Sequence, residues 1–205
     1  MAELWDKYKS LLEREEINTP LRKANFFAQG KVEADLKPKI ESMNYSVEGL
    51  ISGFGRHRIS IEDAKKYGRT TTQKANQKEI ANRLYGGEWG RVNLGNTKPT
   101  DPYNLRGCGI FQITGRANFQ KLSDDTGIDF INHPELLLEE TNSIVAAIWY
   151  WNSRGLNKYA DKDDTLSISK VINLGNAKAK GTPKHLAERK QWAETFKKDL
   201  KGKKY

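Results

Sequence analysis

Cysteine is almost missing from this 205-residue sequence, and histidine is scarce. The single cysteine, Cys108, excludes an internal disulfide framework and any cysteine-based zinc site. The three histidines lie far apart in the chain and form no HExxH or other metal-ligand spacing. We therefore expect no metal centre.

Long apolar runs are also missing. The mean hydropathy is −0.78, and no stretch is long enough to predict a transmembrane helix. The first ten residues, MAELWDKYKS, lack the positive and then apolar pattern of a secretory signal peptide. We therefore expect a protein made in a cytoplasm that needs another factor to leave it.

What the sequence does contain is enough apolar and aromatic material for a core. Hydrophobic residues make up 37% and aromatic residues 10% of the chain, with five tryptophans, which excludes a disordered or collagen-like protein. No repeat and no linker is visible. The length therefore predicts one domain over residues 1–205, with a basic tail at about 197–205.

The net charge of +9 favours an anionic partner, which could be nucleic acid, a membrane surface or a cell-wall polymer. A lysine-rich solvated surface would explain the same charge. A nucleic-acid binder should also show a basic stripe or an aromatic stacking motif. Neither is visible, so we expect no nucleic-acid partner.

Apolar periodicity predicts a mostly α fold with long loops and at most a small sheet. Capping residues predict helix starts at Thr19–Pro20, Ser46 and Ser60. A Gly- and Asn-rich span over 86–109 predicts a functional loop, and residues 110–113 predict a short strand edge. The predicted helices are 2–16, 20–32, 44–55, 60–68, 73–85, 134–152, 165–172 and 184–200.

Two glutamates, Glu33 and Glu41, stand eight residues apart on either side of a proline-containing turn. A glycosidase needs two carboxyl groups that flank one bond, an acid for the leaving oxygen and a base or nucleophile opposite. The spacing allows that chemistry. Solvated surface acids would give the same pattern, because the chain contains 26 acidic residues.

The second candidate is RGCGIFQITGRANF, residues 106–119. Its glycines allow a ligand to approach the backbone. Gln112 and Thr114 alternate with apolar residues, which predicts that both point to one face of an extended segment. A glycine-rich turn before a helix capped by Thr114 would explain the same residues. Cys108 has no histidine near it in sequence, so a nucleophilic role is not expected.

Two further features fit either binding or simple structure. Asn173, in INLGN, could present its amide to a ligand or only form a turn. The run Trp149, Tyr150 and Trp151 lies in the middle of a predicted helix, where core packing is a better explanation than a sugar platform.

Taken in order, several segments resemble glycoside hydrolase family 19 in its phage and bacterial lysozyme-type branch, over about residues 20–190. The segments are ANFFAQGKVEA (24–34), NYSVEGL (44–50), IANRLYGG (80–87), YNLRGCGIFQITGRANF (103–119), HPELLLEE (133–140), AAIWYWNSRGLNKYAD (146–161) and VINLGN (171–176).

The resemblance implies a lysozyme-like, mostly helical fold and an inverting hydrolase without metal or cofactor. It implies that Glu33 is the general acid and Glu41 the general base. It also implies that Gln112 and Thr114 hold the attacking water and the sugar. Further residues implied to line the substrate site are Tyr45, Asn118 and Asn173.

The resemblance also implies a monomeric endolysin that acts on peptidoglycan glycan strands after release through the host membrane, without a separate wall-binding domain. The chain departs from the family pattern at Val32 and Ala34, beside the acid, and at Cys108. Glu88 is a third acid and a rival base. The alternatives are a chitinase and a catalytically degenerate wall-binding protein.

Overall fold

The computed structural model describes residues 2–202, so Lys203 and Lys204 of the predicted basic tail lie outside the described residues. The helices are α1 (Ala2–Arg14), α2 (Pro20–Ala34), α3 (Val47–Gly53), α4 (Ile61–Tyr67), α5 (Gln77–Tyr85), α6 (Gly87–Leu94), α7 (Asp101–Asn104), α8 (Arg116–Thr126), α9 (Glu140–Ser153), α10 (Asn157–Ala160), α11 (Thr165–Leu174) and α12 (Leu186–Lys201). A 3₁₀ helix spans Pro134–Leu138. The prediction of a mostly α fold is confirmed.

Capping side chains fix several helix starts where the sequence predicts them. Thr19 accepts a hydrogen bond from the Arg22 amide, with Pro20 at the first helical position. Ser46 and Ser60 cap α3 and α4 in the same way. Each cap satisfies an amide that the helix itself leaves without a partner.

Two predicted helices and one predicted loop differ from the structure. The helix predicted at 73–85 begins only at Gln77, because the Asn76 side chain caps it by accepting from the Glu79 amide. The loop predicted at 86–109 contains α6 and α7. The helix predicted at 134–152 is divided, because Glu139 is extended between the 3₁₀ helix and α9.

The described chain forms two compact units. One unit is discontinuous and consists of the residues up to Pro38 together with those from Glu140 onward. The other is the continuous segment Lys39–Glu139. We call them the terminal unit and the central unit. Among residues 2–202, no helix is long and apolar enough to cross a membrane.

The core of the terminal unit surrounds α2. Residues 23–30 of this helix are all buried, whereas the sequence pattern predicts one buried face. Phe26 meets Phe27 and Trp151 edge to face, with ring centroids 5.4 and 5.6 Å apart. Trp151 is fully buried, so it packs in the core as predicted.

The core of the central unit lies between α3, α4 and α5, and includes Met43, Leu50, Ile80 and Leu84. In place of the predicted strand at 110–113, Cys108 forms isolated antiparallel bridges with Ile40 and Ile113. Ile40 directly precedes Glu41, the first candidate site residue, so these bridges bear on its position.

Candidate active site

Backbone pairing fixes the position of Glu41 in the central unit. The Glu41 amide donates to the Gly107 carbonyl at 2.7 Å, and the Gly109 amide donates to the Lys39 carbonyl at 2.9 Å. The Arg106 Nε also donates to the Glu41 carbonyl, at 2.9 Å. Glu41 is therefore anchored to the glycine-rich segment rather than carried on a mobile loop.

The Glu41 carboxylate accepts two hydrogen bonds, one on each oxygen. The Tyr85 hydroxyl donates to Oε1 at 2.6 Å, and the Gly107 amide donates to Oε2 at 3.1 Å. Burial, and next the Glu41 charge, raise the pKa of Tyr85 far above its ordinary value, so Tyr85 remains a donor across the physiological range. Glu41 is thereby held as an oriented hydrogen-bond acceptor.

Three predicted site residues pack closely against Gly107. A Cβ on this residue would lie 2.9 Å from Gln112 Oε1, 3.2 Å from Glu41 Oε2 and 3.3 Å from Thr114 Oγ1. Three oxygen atoms from separate positions thus converge beside one glycine. Because glycine has no side chain, these three oxygen atoms can lie close together, where each can accept a hydrogen bond from a water or a sugar hydroxyl.

Gln112 and Thr114 reach this point by a route that differs from the predicted extended segment. Gln112 has a left-handed backbone with φ of 54°, and its Nε2 donates to the Lys39 and Gly109 carbonyls. The Thr114 hydroxyl donates to the Gln112 carbonyl at 3.0 Å. Gly115 is the N-cap of α8, with no side-chain cap, so Thr114 as a helix cap is wrong.

Tyr45 and Asn118 lie in the same unit. The Tyr45 ring packs edge to face on Phe54, with centroids 5.5 Å apart. Burial, and next the Glu41 charge, raise the pKa of Tyr45. The Asn118 amide donates to the Thr114 carbonyl at 3.0 Å. Both side chains are half-buried. Tyr45 lies near enough to Glu41 to feel its charge, and Asn118 stabilises the backbone at Thr114.

In the terminal unit, Glu33 belongs to a row of polar side chains on α2, and a second polar row on α11 is hydrogen-bonded to it. Each row has a spacing of four residues, which places its members on one helix face. On α2 the row is Asn25, Gln29 and Glu33, and on α11 it is Thr165, Ser169 and Asn173. Thr165 donates to Asn25 at 2.8 Å, and Gln29 donates to Ser169 at 3.0 Å.

A buried arginine completes this arrangement. Arg189 of α12 is 2% exposed. Its Nη2 donates to Glu33 Oε1 at 2.6 Å and its Nη1 to Gln29 Oε1 at 2.6 Å. The hydrogen-bond partner of the Glu33 carboxylate is this guanidinium. The oxygen atoms of Gln29 and Glu33 on α2 need hydrogen-bond donors where they are shielded from water, and Arg189 supplies them.

Asn173 belongs to the same network. It lies in the last turn of α11 rather than in a following loop. Its Oδ1 accepts from the Lys184 amide at 2.8 Å, and the Lys184 carbonyl accepts from Arg189 Nε at 2.9 Å. Asn173 therefore supports the segment that holds the arginine partner of Glu33.

Glu88 has different surroundings. It is exposed on α6 and forms a two-bond ion pair with Arg91, at 2.9 and 2.6 Å. The hydrogen bond and charge of Arg91 lower the pKa of Glu88. A surface carboxylate neutralised by its own helix is a poor candidate for an orienting base, which favours Glu41 over Glu88.

Tyr85, Gln29 and Arg189 contact the two glutamates but are not among the site residues predicted from the sequence. The four-residue spacing of Asn25, Gln29 and Glu33 inside an apolar helix is a signal that could have revealed the α2 row. Within the described residues 2–202, no group of three His, Cys, Asp or Glu side chains is arranged to bind a metal ion.

Comparisons with known proteins point to one family, although no family model matches the chain. A Haemophilus influenzae protein described as "Glycosyl hydrolase family 19 domain-containing protein" is 32% identical over 136 residues, covering 66% of this chain and 61% of that protein. Rice chitinase 11 is 35% identical over 66 residues, covering 31% of this chain and 25% of that protein. Tobacco acidic endochitinase Q is 27% identical, covering 47% of this chain and 44% of that protein.

The chain spans less than two thirds of the length of each of these relatives. The first is named for glycoside hydrolase family 19 and the other two are named chitinases, and the mostly α architecture is consistent with that family. The chain belongs to glycoside hydrolase family 19.

Proposed function

We propose that this protein is a glycoside hydrolase that cleaves the β-1,4 bond between N-acetylmuramic acid and N-acetylglucosamine in peptidoglycan. Glu33 is the general acid and Glu41 the general base of a one-step inverting reaction. The observation that carries the proposal is that Tyr85 and Gly107 donate to the two oxygens of the Glu41 carboxylate. Gln112 and Thr114 also lie against Gly107.

The base role follows from the contacts of Glu41. Tyr85 and Gly107 donate to its two oxygens and fix the plane of the carboxylate. Each carboxylate oxygen has a second acceptor position, so Oε2 can accept a proton from water beside Gly107. Gln112 Oε1 and Thr114 Oγ1 provide further hydrogen-bond positions that orient this water.

The acid role assigned to Glu33 uses one carboxylate oxygen for orientation and the other for the proton. Arg189 contacts Oε1, and within residues 2–202 Oε2 has no hydrogen-bond partner. In the proposed reaction, the proton on Oε2 moves to the leaving glycosidic oxygen as the bond breaks. Arg189, Gln29 and Asn173 hold the carboxyl group in place and take no proton themselves.

Charge and sequence resemblance support peptidoglycan as the substrate. The net charge of +9 attracts a wall polymer that carries carboxylates, and this attraction weakens in salt. The NYSVEGL segment after Glu41 resembles the lysozyme-type branch. In this proposal the protein works as a monomeric endolysin, made in a bacterial cytoplasm and released through the membrane to the wall.

A chitinase is the second candidate, because two of the relatives carry that name. Chitin is a neutral polymer of N-acetylglucosamine, so the protein's positive charge gives no advantage on it. A chitinase would cut chitin oligomers rapidly and leave intact sacculi untouched.

The test is digestion of purified sacculi and of chitin oligomers, with mass analysis of the products and proton NMR before mutarotation. We expect soluble fragments with N-acetylmuramic acid at the reducing end, first seen as the α anomer. Reducing-end N-acetylglucosamine from sacculi would contradict the linkage, and a β anomer first would contradict inversion.

Three matched Glu→Gln variants test the assignment of the acid and the base. Glu33→Gln and Glu41→Gln should each lose at least about 10²-fold in turnover, the usual contribution of general acid or base catalysis. Glu88→Gln removes one carboxylate in the same way and should stay near the wild-type rate. A larger loss at Glu88 than at Glu41 would overturn the choice of base.

A further inference from the structure

A polar groove in the central unit is separate from the contacts of Glu41 described above. We call it the Arg69 groove; the loop of residues 69–75, together with Asn44 and Gln77, lines it. Its volume is about 550 Å³, within the range of small-ligand sites.

Arg69 is held in one orientation by Asn44. Its Nη1 donates to the Asn44 carbonyl at 2.7 Å and to the Asn44 side-chain oxygen at 2.8 Å. Within residues 2–202, Nε and Nη2 have no hydrogen-bond partner. No group of the described protein therefore uses the edge of the guanidinium formed by these two nitrogens.

The same edge binds a carboxylate elsewhere in this protein. Arg22 donates through Nε and Nη2 to the two oxygens of Asp161, at 2.7 and 2.8 Å. Arg116 does so with Asp101, at 2.8 and 2.8 Å. The Nε–Nη2 edge matches the spacing of carboxylate oxygens, so the exposed Arg69 presents a fork of the same shape to the groove.

The groove is built before any ligand arrives. Thr70 Oγ1 accepts from the amides of Thr72 and Gln73, at 3.2 and 2.9 Å. Gln73 Nε2 donates to the Gly68 carbonyl at 2.6 Å. The loop is thus stabilised by its own hydrogen bonds, which lowers the entropy cost of binding.

The charge around the groove also favours an anion. Residues 65–78, KKYGRTTTQKANQK, contain five cationic and no acidic residues. Two acids that flank this stretch, Asp63 and Glu79, form ion pairs with Arg83. Glu62 is exposed at the start of α4 and has no ion pair among the described residues.

The groove lies close to the proposed base along the chain. Asn44 is three residues from Glu41, so their Cα atoms are at most about 11 Å apart. Gln77, which also lines the groove, accepts a hydrogen bond from the Met43 amide at 3.2 Å. This bond connects the groove to the segment between Glu41 and Asn44.

We propose that the Arg69 groove binds a carboxylate of the stem peptide that substitutes the muramic acid of peptidoglycan. This proposal rests on the proposed function, because it assigns to the substrate of that reaction a second contact beyond the sugar. The groove would select peptide-bearing strands over bare glycan and over chitin.

The test compares peptide-bearing glycan with the same glycan after amidase has removed the stem peptides and the lactyl carboxylates that this exposes have been converted to amides, both free of teichoic acid. Arg69→Gln should raise KM about tenfold on the peptide-bearing substrate and leave kcat and the stripped substrate within about twofold. Arg69→Lys keeps the charge but loses the fork, and should recover only part of the affinity. Arg14→Gln removes an exposed arginine from α1 and is the matched control.

Binding to the two kinds of sacculi, measured by co-sedimentation, gives a readout that needs no catalysis. Wild type should bind peptide-bearing sacculi more tightly, and Arg69→Gln should lose this difference. If both proteins bind intact and stripped sacculi equally, or if Arg69→Gln weakens both substrates alike, the carboxylate site is wrong. If the preference is present but neither substrate is cut, the site stands and the proposed hydrolysis fails.

Discussion

Removal of one hydroxyl group, in Tyr85→Phe, tests how Glu41 is held. The Tyr85 hydroxyl donates to Glu41 Oε1 at 2.6 Å, and a hydrogen bond to a charged group contributes about 1.5–3 kcal/mol. The Gly107 amide remains, so the carboxylate keeps one contact and can rotate. If the lost energy appears in the transition state, kcat should fall roughly ten- to hundredfold, because about 1.4 kcal/mol corresponds to tenfold.

The assay is release of soluble fragments from sacculi under saturating and limiting substrate, which separates kcat from KM. KM should change little, because Tyr85 acts through Glu41. Tyr67→Phe is the matched control: Tyr67 packs on the same core and its hydroxyl accepts only a 3.4 Å contact from Arg83. The reasoning is refuted if Tyr85→Phe keeps more than half of kcat, or if Tyr67→Phe loses as much.

Three further predictions concern the glycine-rich segment. Gly107→Ala should lower kcat by about tenfold, because the added Cβ would displace the Gln112, Glu41 and Thr114 oxygens by a few tenths of an ångström; a rate within about twofold of wild type would show that turnover does not depend on their placement. Thr114→Ala should lower turnover by less than Glu41→Gln, with little change in melting temperature, whereas a change in melting temperature alone would mean a purely structural hydroxyl. Burial raises the pKa of Cys108 to about 11, so a thiol reagent at a pH of about 8 should react only after denaturation, and rapid reaction of the folded protein would contradict this burial.

Local sequence signals predict the helix starts well. Thr19, Ser46 and Ser60 each cap a helix through a hydrogen bond that spans only three residues. Such contacts depend on neighbours in the chain, so the pattern is sufficient. By contrast, α7 and α10 have four residues each and are too short to show a helical period.

The partners of the two glutamates could not be predicted in this way. Tyr85 is 44 residues from Glu41 in the chain, and Arg189 is 156 residues from Glu33. No local pattern encodes such pairings, because they depend on how helices pack. The resemblance to the family indicated which glutamates to choose, while their hydrogen-bond partners became visible only in the structure.

The discontinuous terminal unit has a consequence for how the protein is made. Helix α2 packs on α12, and the two helices lie at opposite ends of the chain. On a ribosome, the continuous segment Lys39–Glu139 can close on itself as it emerges, whereas α2 must wait for about 150 residues to be synthesised. Closing so long a loop is slow but adds little entropy cost per extra residue. The surroundings of Glu33 therefore form only when translation has passed Arg189, so nascent chains that stop earlier carry the glutamate without the residue that orients it.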